Sequence, residues 1–311
     1  MAETVRLIDP KKILPNKENP RLIFREDELA DLEGSIKEQG ILVPLTLFER
    51  GRKFIILDGE RRWRCALKLA MPSVPAIVQP MPNKLQNIMM MFAIHKSRKD
   101  WDPLPTAMKL QQLADELEHR HGGPPSEEAL AAAASISRGE VRRYRHILDL
   151  PERYKNELMK ELSKPRNKQV LTVDHVLESV RGAEALRKRD IIDKQEERAL
   201  SHVLITKFRS KLIKSTVSPR QLPRIARAVQ RESITHDTAR SAVLKLINDP
   251  KFTPEDAFQA SVAQVDFEHS TQQITDRLRK RLEEHITRKY RPGKTLLASL
   301  QELAKTLRKI L

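Results

Sequence analysis

Asp58-Gly59-Glu60-Arg61-Arg62-Trp63-Arg64-Cys65-Ala66 is the most informative stretch of this sequence. It follows an apolar run at residues 54–57, typical of a buried strand, and it leads into a helical pattern at residues 66–70. The basic cluster therefore lies at a predicted helix N-terminus, where free main-chain N–H groups and the helix dipole attract anions. Arginines are unfavourable at such an end unless an anion is present, so the cluster predicts a phosphate-bearing ligand. A solvated basic turn is the alternative on spacing alone.

Composition indicates a partner of opposite charge. The chain has 311 residues, which suggests two or three domains, and its formal net charge is +16. Such an excess of positive charge favours a polyanion, with double-stranded DNA as the first candidate, over a basic protein without a nucleic-acid role. The single cysteine excludes an internal disulfide framework.

The sequence also indicates where the protein is found. It has neither a membrane-spanning apolar run nor a signal peptide, so we expect a cytoplasmic protein without a membrane partner.

The N-terminal third alternates short strand and helix patterns. Strand-like segments occur at residues 5–8, 13–14, 42–49, 53–57 and 74–78. Helical spacing of apolar residues occurs at 26–39 and 84–95. The pattern predicts a small α+β domain over residues 1–100.

A helix-turn-helix is predicted in the next segment. Ser126 is placed to cap one short helix, and Ser137 and Glu140 have the spacing of a capping box that opens a second helix. That second helix directs arginines outward, as a reader of the DNA major groove would. The predicted DNA-binding residues are Ser137, Arg138, Arg142, Arg143 and Arg145. An ordinary helical pair with a solvated basic face is the alternative.

The remaining sequence is helical in pattern. We predict a helix-turn-helix domain at residues 101–182, a helical region at 183–260 and a helical C-terminal segment at 261–311. The last helix repeats apolar residues at alternating four- and three-residue steps, a heptad seam. It is formed by Leu296, Leu300, Leu303, Leu307 and Ile310. The seam predicts a homodimer, with docking onto the same chain as the alternative.

The signature at residues 59–66 resembles the G-E-R-R-x-R-A motif of the ParB family of partition proteins. Residues 15–21 and 40–45 resemble two further boxes of that family, in the same order and at similar spacing. The resemblance extends over roughly the first 180 residues. It implies a ParB/sulfiredoxin-like α+β domain followed by mainly α-helical domains. It also implies that CTP or another phosphate-bearing anion is bound by Gly59, Glu60, Arg61, Arg62, Arg64 and Arg98.

The sequence departs from the family in the box at residues 94–103. The family has a glutamate there that helps to hold the magnesium of bound CTP, and this chain has Ile94. Isoleucine cannot bind a hard cation, so the departure argues against Mg²⁺-assisted CTP hydrolysis and predicts no protein-held metal. A second departure is Ser135, which occupies the turn position where the family usually has glycine, so that a left-handed backbone there would be mildly costly.

Three functional hypotheses follow from the resemblance. The first is a DNA-binding protein of plasmid or chromosome partition that acts as a CTP-dependent clamp with a ParA-type ATPase as partner. The second is a ParB-related transcription regulator or mobile-element accessory factor with a degenerate nucleotide pocket. The third is redox catalysis through Cys65, because the fold is shared with sulfiredoxins, although here Glu60 occupies the position of their catalytic cysteine. We predict no catalytic residue for the first two.

Overall fold

The computed structural model describes residues 4–95 and 102–310. Within these ranges the N-terminal part forms a five-stranded sheet with helices. Its strands are β1 (Val5–Ile8), β2 (Ile13–Leu14), β3 (Leu45–Arg50), β4 (Lys53–Asp58) and β5 (Val74–Gln79). Its helices are α1 (Glu26–Gln39), α2 (Glu60–Lys68) and α3 (Lys84–His95). The predicted order of strands and helices is confirmed.

The remainder of the described chain is helical. Its helices are α4 (Pro103–His121), α5 (Glu127–Ala133), α6 (Arg138–Leu148), α7 (Glu152–Leu162), α8 (Val173–Arg187), α9 (Lys194–Arg209), α10 (Gln221–Gln230), α11 (His236–Asn248), α12 (Pro254–Ser261), α13 (Ala263–Thr287) and α14 (Lys294–Leu307). The predicted fold class, an α+β domain followed by helices that include a helix-turn-helix, is thereby confirmed.

The sheet has the strand order β1-β5-β3-β4-β2. β3 and β4 form an antiparallel hairpin, whereas β3 pairs with β5 in parallel. Leu45 and Leu47 of β3 are fully buried in the core beneath the sheet. β3 was expected to begin at residue 42 but begins at Leu45, because Pro44 lacks the N–H needed for the ladder and Leu42 is 74% exposed.

One hydrophobic core joins most of the helices after α3. It runs from Leu104 at the start of α4 to Val262 after α12 and includes residues on both sides of residue 182, where a domain boundary was predicted. The buried Lys207 on α9 strengthens this region. Its Nζ donates to the main-chain oxygens of Leu246 and Asp249, both at 2.8 Å, and so satisfies carbonyls at the end of α11.

The last two helices differ from the others in their exposure. Neither α13 nor α14 contains a buried residue among those described. On α14, Leu296, Leu303 and Leu307 are 42%, 38% and 45% exposed. The apolar seam of α14 is therefore not covered by any described part of its own chain.

Within the described ranges, no helix combines the length and apolar character required to span a membrane.

Candidate functional site

Gly59 shapes the turn between β4 and α2. It adopts φ +95°, in the left-handed region that favours glycine, and a Cβ atom at this position would lie 3.0 Å from Cγ of Leu45. Because glycine has no side-chain oxygen, Gly59 cannot cap the N–H groups in the first turn of α2. The start of this helix is thus suited to an external anion.

The structure brings the three N-terminal sequence boxes together around this turn. Glu60 is buried, and its Oε2 accepts a 2.8 Å hydrogen bond from Nδ2 of Asn19 in the first box. Arg62 donates to the main-chain oxygen of Pro44 in the second box at 3.0 Å and to Oδ2 of Asp58 at 2.8 Å. The boxes, separate in sequence, therefore form one site.

The arginines of the signature differ in their surroundings. Nη2 of Arg61 donates to the main-chain oxygen of Glu28, while its Nε is buried and has no hydrogen-bond partner among the described residues. Arg64 donates to Oε1 of Glu60 and its guanidinium lies 4.0 Å from the centre of the Phe24 ring. The Arg64 side chain remains 39% exposed, so it is the most accessible cation of the ion pairs formed by the signature.

Glu28 on α1 connects this site to the helical part of the chain. Its carboxylate accepts from Arg21 at 2.7 Å, from Arg25 at 3.2 Å and from Arg166 at 2.7 Å. Burial alone would raise the pKa of Glu28, but the hydrogen bond from Arg166 and the charges of the three arginines hold it below its ordinary value. The carboxylate therefore remains charged at neutral pH.

Arg25 adds a second connection between the two parts. Its Nη2 lies 3.0 Å from both carboxylate oxygens of Asp102, at the start of α4, and its Nε donates to the main-chain oxygen of Leu162 on α7. The Arg25 side chain is only 2% exposed, so this charge is buried and depends on its partners.

The residues present fit an anion better than a metal. The uncapped start of α2 and the unpaired Nε of Arg61 are both donors. By contrast, no group of three His, Cys, Asp or Glu side chains within the described ranges could hold a metal ion. Ile94 packs against an apolar cluster of Phe48, Leu57 and Met91. Arg98, also predicted to bind the anion, lies outside the described residues.

Cys65 does not have the surroundings of a reactive thiol. It is 2% exposed, and burial raises the pKa of its thiol above the ordinary value. Neighbouring charges also act on it, including the carboxylate of Glu33, which raises the pKa further. These features argue against the redox hypothesis.

The predicted helix-turn-helix is formed by α5 and α6. Ser126 accepts from the main-chain N–H of Ala129 at 3.1 Å and so caps α5. Ser137 and Glu140 form a complete capping box at the start of α6, with reciprocal bonds of 2.8 Å and 3.2 Å. The hydroxyl of Ser137, a predicted DNA-binding residue, is thus already engaged in capping the N-terminus of α6.

The arginines of α6 are on the surface. Arg138 and Arg142 are 61% and 59% exposed and both approach Oε1 of Glu127 on α5, at 3.4 Å and 2.9 Å. Arg143 pairs with Asp174 at the start of α8, at 2.7 Å, and Arg145 is exposed. Exposed ion pairs of this kind are weak, so these arginines are available to phosphates or bases.

Ser135 has the strained backbone that its position predicts. Its φ is +54°, which is costly for a residue with a Cβ atom.

We expect Ser135→Gly to raise the free energy of unfolding by about 0.5–1 kcal/mol, because glycine adopts this conformation without strain. Chemical denaturation would measure the change. Ser163→Gly is a suitable control, because Ser163 ends α7 in a right-handed conformation, where glycine should not raise the free energy of unfolding. An equal increase in stability in both variants would contradict the assignment of strain to Ser135.

Several residues of the site were not identified as functional from sequence. Asn19 and Arg21 belong to a recognised box, but Phe24, Arg25 and Glu28 follow it without a motif of their own. Their role arises from contacts between distant segments. The nearest sequence signal is the four-residue spacing of Arg21 and Arg25 just before α1.

Comparison with known proteins agrees with the sequence boxes. Residues 1–93 match the family described as the ParB N-terminal domain. A probable chromosome-partitioning protein ParB from Xylella fastidiosa is 34% identical over 151 residues, which cover 48% of this chain and 46% of that protein. A nucleoid occlusion protein from a Geobacillus species is 30% identical over 172 residues, covering 55% of this chain and 59% of that one. The chain thus matches about half the length of these relatives.

Among solved structures, a C-terminally truncated chromosome-partitioning protein ParB from Caulobacter crescentus, complexed to the centromeric parS site, is similar in part. Its TM-score is 0.44 at 22% identity, covering 71% of this chain and 98% of that one. The match of residues 1–93 to the ParB N-terminal domain family confirms the predicted resemblance to ParB proteins.

Proposed function

We propose that this chain is a ParB-like, sequence-specific DNA-binding protein that acts in plasmid or chromosome partition. The observation that carries the proposal is the capped helix α6, whose exposed arginines follow directly on α5 in a helix-turn-helix. Several relatives are chromosome-partitioning proteins, which supports partition as the process. A ParA-type ATPase would be the corresponding partner.

The arginine box is the proposed nucleotide site. CTP is the ligand that the family resemblance suggests, and bound CTP would supply a chain of phosphates with high negative charge. Gly59, Arg61, Arg62 and Arg64 would hold these phosphates, with Glu60 orienting Arg64 through their hydrogen bonds. Asn19 would in turn fix Glu60. Coupling to DNA binding would act through Glu28 and Arg166, which join the two parts of the chain.

A transcription regulator with a degenerate nucleotide pocket is the second candidate. The packing of Ile94 against Phe48, Leu57 and Met91 favours it, because this apolar environment offers no ligand for the magnesium ion of a nucleotide. Such a protein would use the helix-turn-helix at an operator and retain the N-terminal domain as a scaffold.

Mapping of the bound DNA on the host genome, with and without CTP, distinguishes the two candidates. Partition predicts a palindromic site from which CTP extends the protein along neighbouring DNA. A footprint that is confined to promoters and does not change with CTP would overturn the partition proposal and support the regulator. An absence of any specific site would overturn both.

The exposed seam of α14 is the proposed dimer contact. We expect Leu300→Glu together with Leu307→Glu to convert a dimer to a monomer, because burying two carboxylates in an apolar seam is strongly unfavourable. Sedimentation equilibrium would measure the mass. Ala298→Glu is the matched control, since Ala298 lies on the same helix away from the seam. An unchanged dimer in the double variant would show that the seam is not the interface.

A further inference from the structure

A basic groove begins at α6 and continues across α8 to α10. It consists of two adjoining depressions of about 590 and 600 Å³, which share His146, Glu178, Arg181 and Arg220. Seven arginine or lysine side chains line it, against three carboxylates. The part on α10 lies beyond the stretch that resembles the ParB family, so the sequence boxes do not account for it.

Gly182 on α8 determines the shape of this groove. A Cβ atom there would lie 3.0 Å from Cδ1 of Leu222 and 3.0 Å from the main-chain oxygen of Pro219. A larger residue at position 182 would therefore force Leu222 or the turn at Pro219 to shift by a few tenths of an ångström. Arg181, next to Gly182, and Arg220, next to Pro219, both line the groove.

The cations of the groove are of two kinds. Some are paired with carboxylates. Glu178 accepts a 3.2 Å hydrogen bond from Nη2 of Arg220, whose Nε lies 3.2 Å from the other carboxylate oxygen, and Lys188 pairs with Glu184. Arg220 is still 57% exposed. Others are exposed and have no ion pair within the described ranges, namely Arg181 and Arg227. The unpaired cations give the groove its excess of positive charge.

The groove begins beside the helix proposed to read DNA. Arg142 and Arg143 of α6 line its first part, and Arg143 is bound to Asp174 on α8 at 2.7 Å. A duplex whose major groove received α6 would therefore have its backbone beside the start of the groove. The charged lining suits phosphates, since phosphate contacts position a protein on DNA without reading its sequence.

We propose that this groove binds the phosphate backbone of the DNA that flanks the helix-turn-helix site, so that residues of α8 and α10 extend the DNA-binding surface. The proposal rests on DNA binding by α6. The groove's contribution to DNA affinity is independent of DNA sequence. It depends strongly on salt concentration, because each neutralised phosphate releases counterions.

The test uses the full chain with Arg181→Ala and Arg227→Ala combined, and a mixed-sequence duplex of about 30 bp, or three helical turns. Fluorescence anisotropy gives the affinity between about 50 and 200 mM salt. We expect binding to weaken roughly tenfold and the slope of log K against log salt to become shallower by about two. Arg181→Lys with Arg227→Lys should restore the slope, because lysine carries the same charge.

Arg52→Ala with Lys37→Ala is the charge-matched control, since both residues are exposed in the N-terminal part and outside the groove. A groove variant whose slope equals that of this control would overturn the proposal and leave the groove to an acidic protein partner. If the groove variant bound DNA as the unmodified chain does, while replacement of the α6 arginines abolished binding, the proposed function would stand without the groove. Failure of the unmodified chain to bind both this duplex and every site found by the genome mapping would overturn both.

Discussion

Arg138→Ala, Arg142→Ala and Arg143→Ala, combined in one chain, should weaken DNA binding by about 100-fold or more. Each base or phosphate contact from such a side chain contributes about 1 kcal/mol or more, and a bidentate contact to guanine about 1–3 kcal/mol. The three residues lie along one exposed surface of α6 and are positioned by weak surface ion pairs. Anisotropy or electrophoretic mobility measurements on duplex DNA would give the affinity.

The fold should survive this triple change. Arg138, Arg142 and Arg143 are 61%, 59% and 43% exposed, so their removal uncovers no core. An unchanged thermal midpoint would confirm this. Removal of three exposed cations elsewhere, Lys12, Lys37 and Arg52, provides the control for loss of charge alone. Wild-type affinity in the α6 triple variant would refute the helix-turn-helix as the DNA-binding element.

Arg61→Ala should abolish nucleotide binding while leaving the initial encounter with DNA unchanged. The Nε of Arg61 is buried without a partner among the described residues, which marks this side chain as the donor in the signature with unused capacity. Removing it deletes a charge-assisted donor at a helix N-terminus, where an anion has few substitutes. Calorimetric titration with CTP, ATP and GTP, each with and without Mg²⁺, would measure the loss.

Two further variants separate binding from stability. Arg61 also donates to the main-chain oxygen of Glu28, so Arg61→Ala loosens the contact between α2 and α1. Arg61→Lys retains the charge but not the forked geometry and should bind with intermediate affinity. Arg52→Ala, an exposed arginine of the β3–β4 turn, should bind as the unmodified chain does. CTP affinity that is unaltered in Arg61→Ala would exclude this residue from the site.

The sequence was sufficient for the local structure of both candidate sites. Strand β4, the turn at Gly59 and helix α2 follow from an apolar run, a glycine and a helical pattern, all within residues 53–68. The capping box of Ser137 and Glu140 and the strained turn at Ser135 were likewise predicted, and both are present. Such features depend on neighbours in sequence, and residue type alone specifies them.

The contacts between the parts of the chain could not be predicted in this way. Glu28 binds Arg166, 138 residues away, and Arg25 binds Asp102. Neither pair has a recognisable spacing, because their meeting depends on where the start of α1 lies relative to Asp102 and the end of α7. The strand order β1-β5-β3-β4-β2 is similarly non-local.

By itself, therefore, the sequence determined the order of secondary structure, the resemblance of residues 1–93 to the ParB N-terminal domain, and the position of two arginine-rich helix starts. Only the tertiary structure decided which of those arginines have partners, that α14 packs against no described part of its own chain, and that α10 lies close to α8 at Gly182, beside a basic groove. The physical reason is that propensity, capping and periodicity act over a few residues. Burial and ion pairing depend instead on segments that the chain brings together only when it folds.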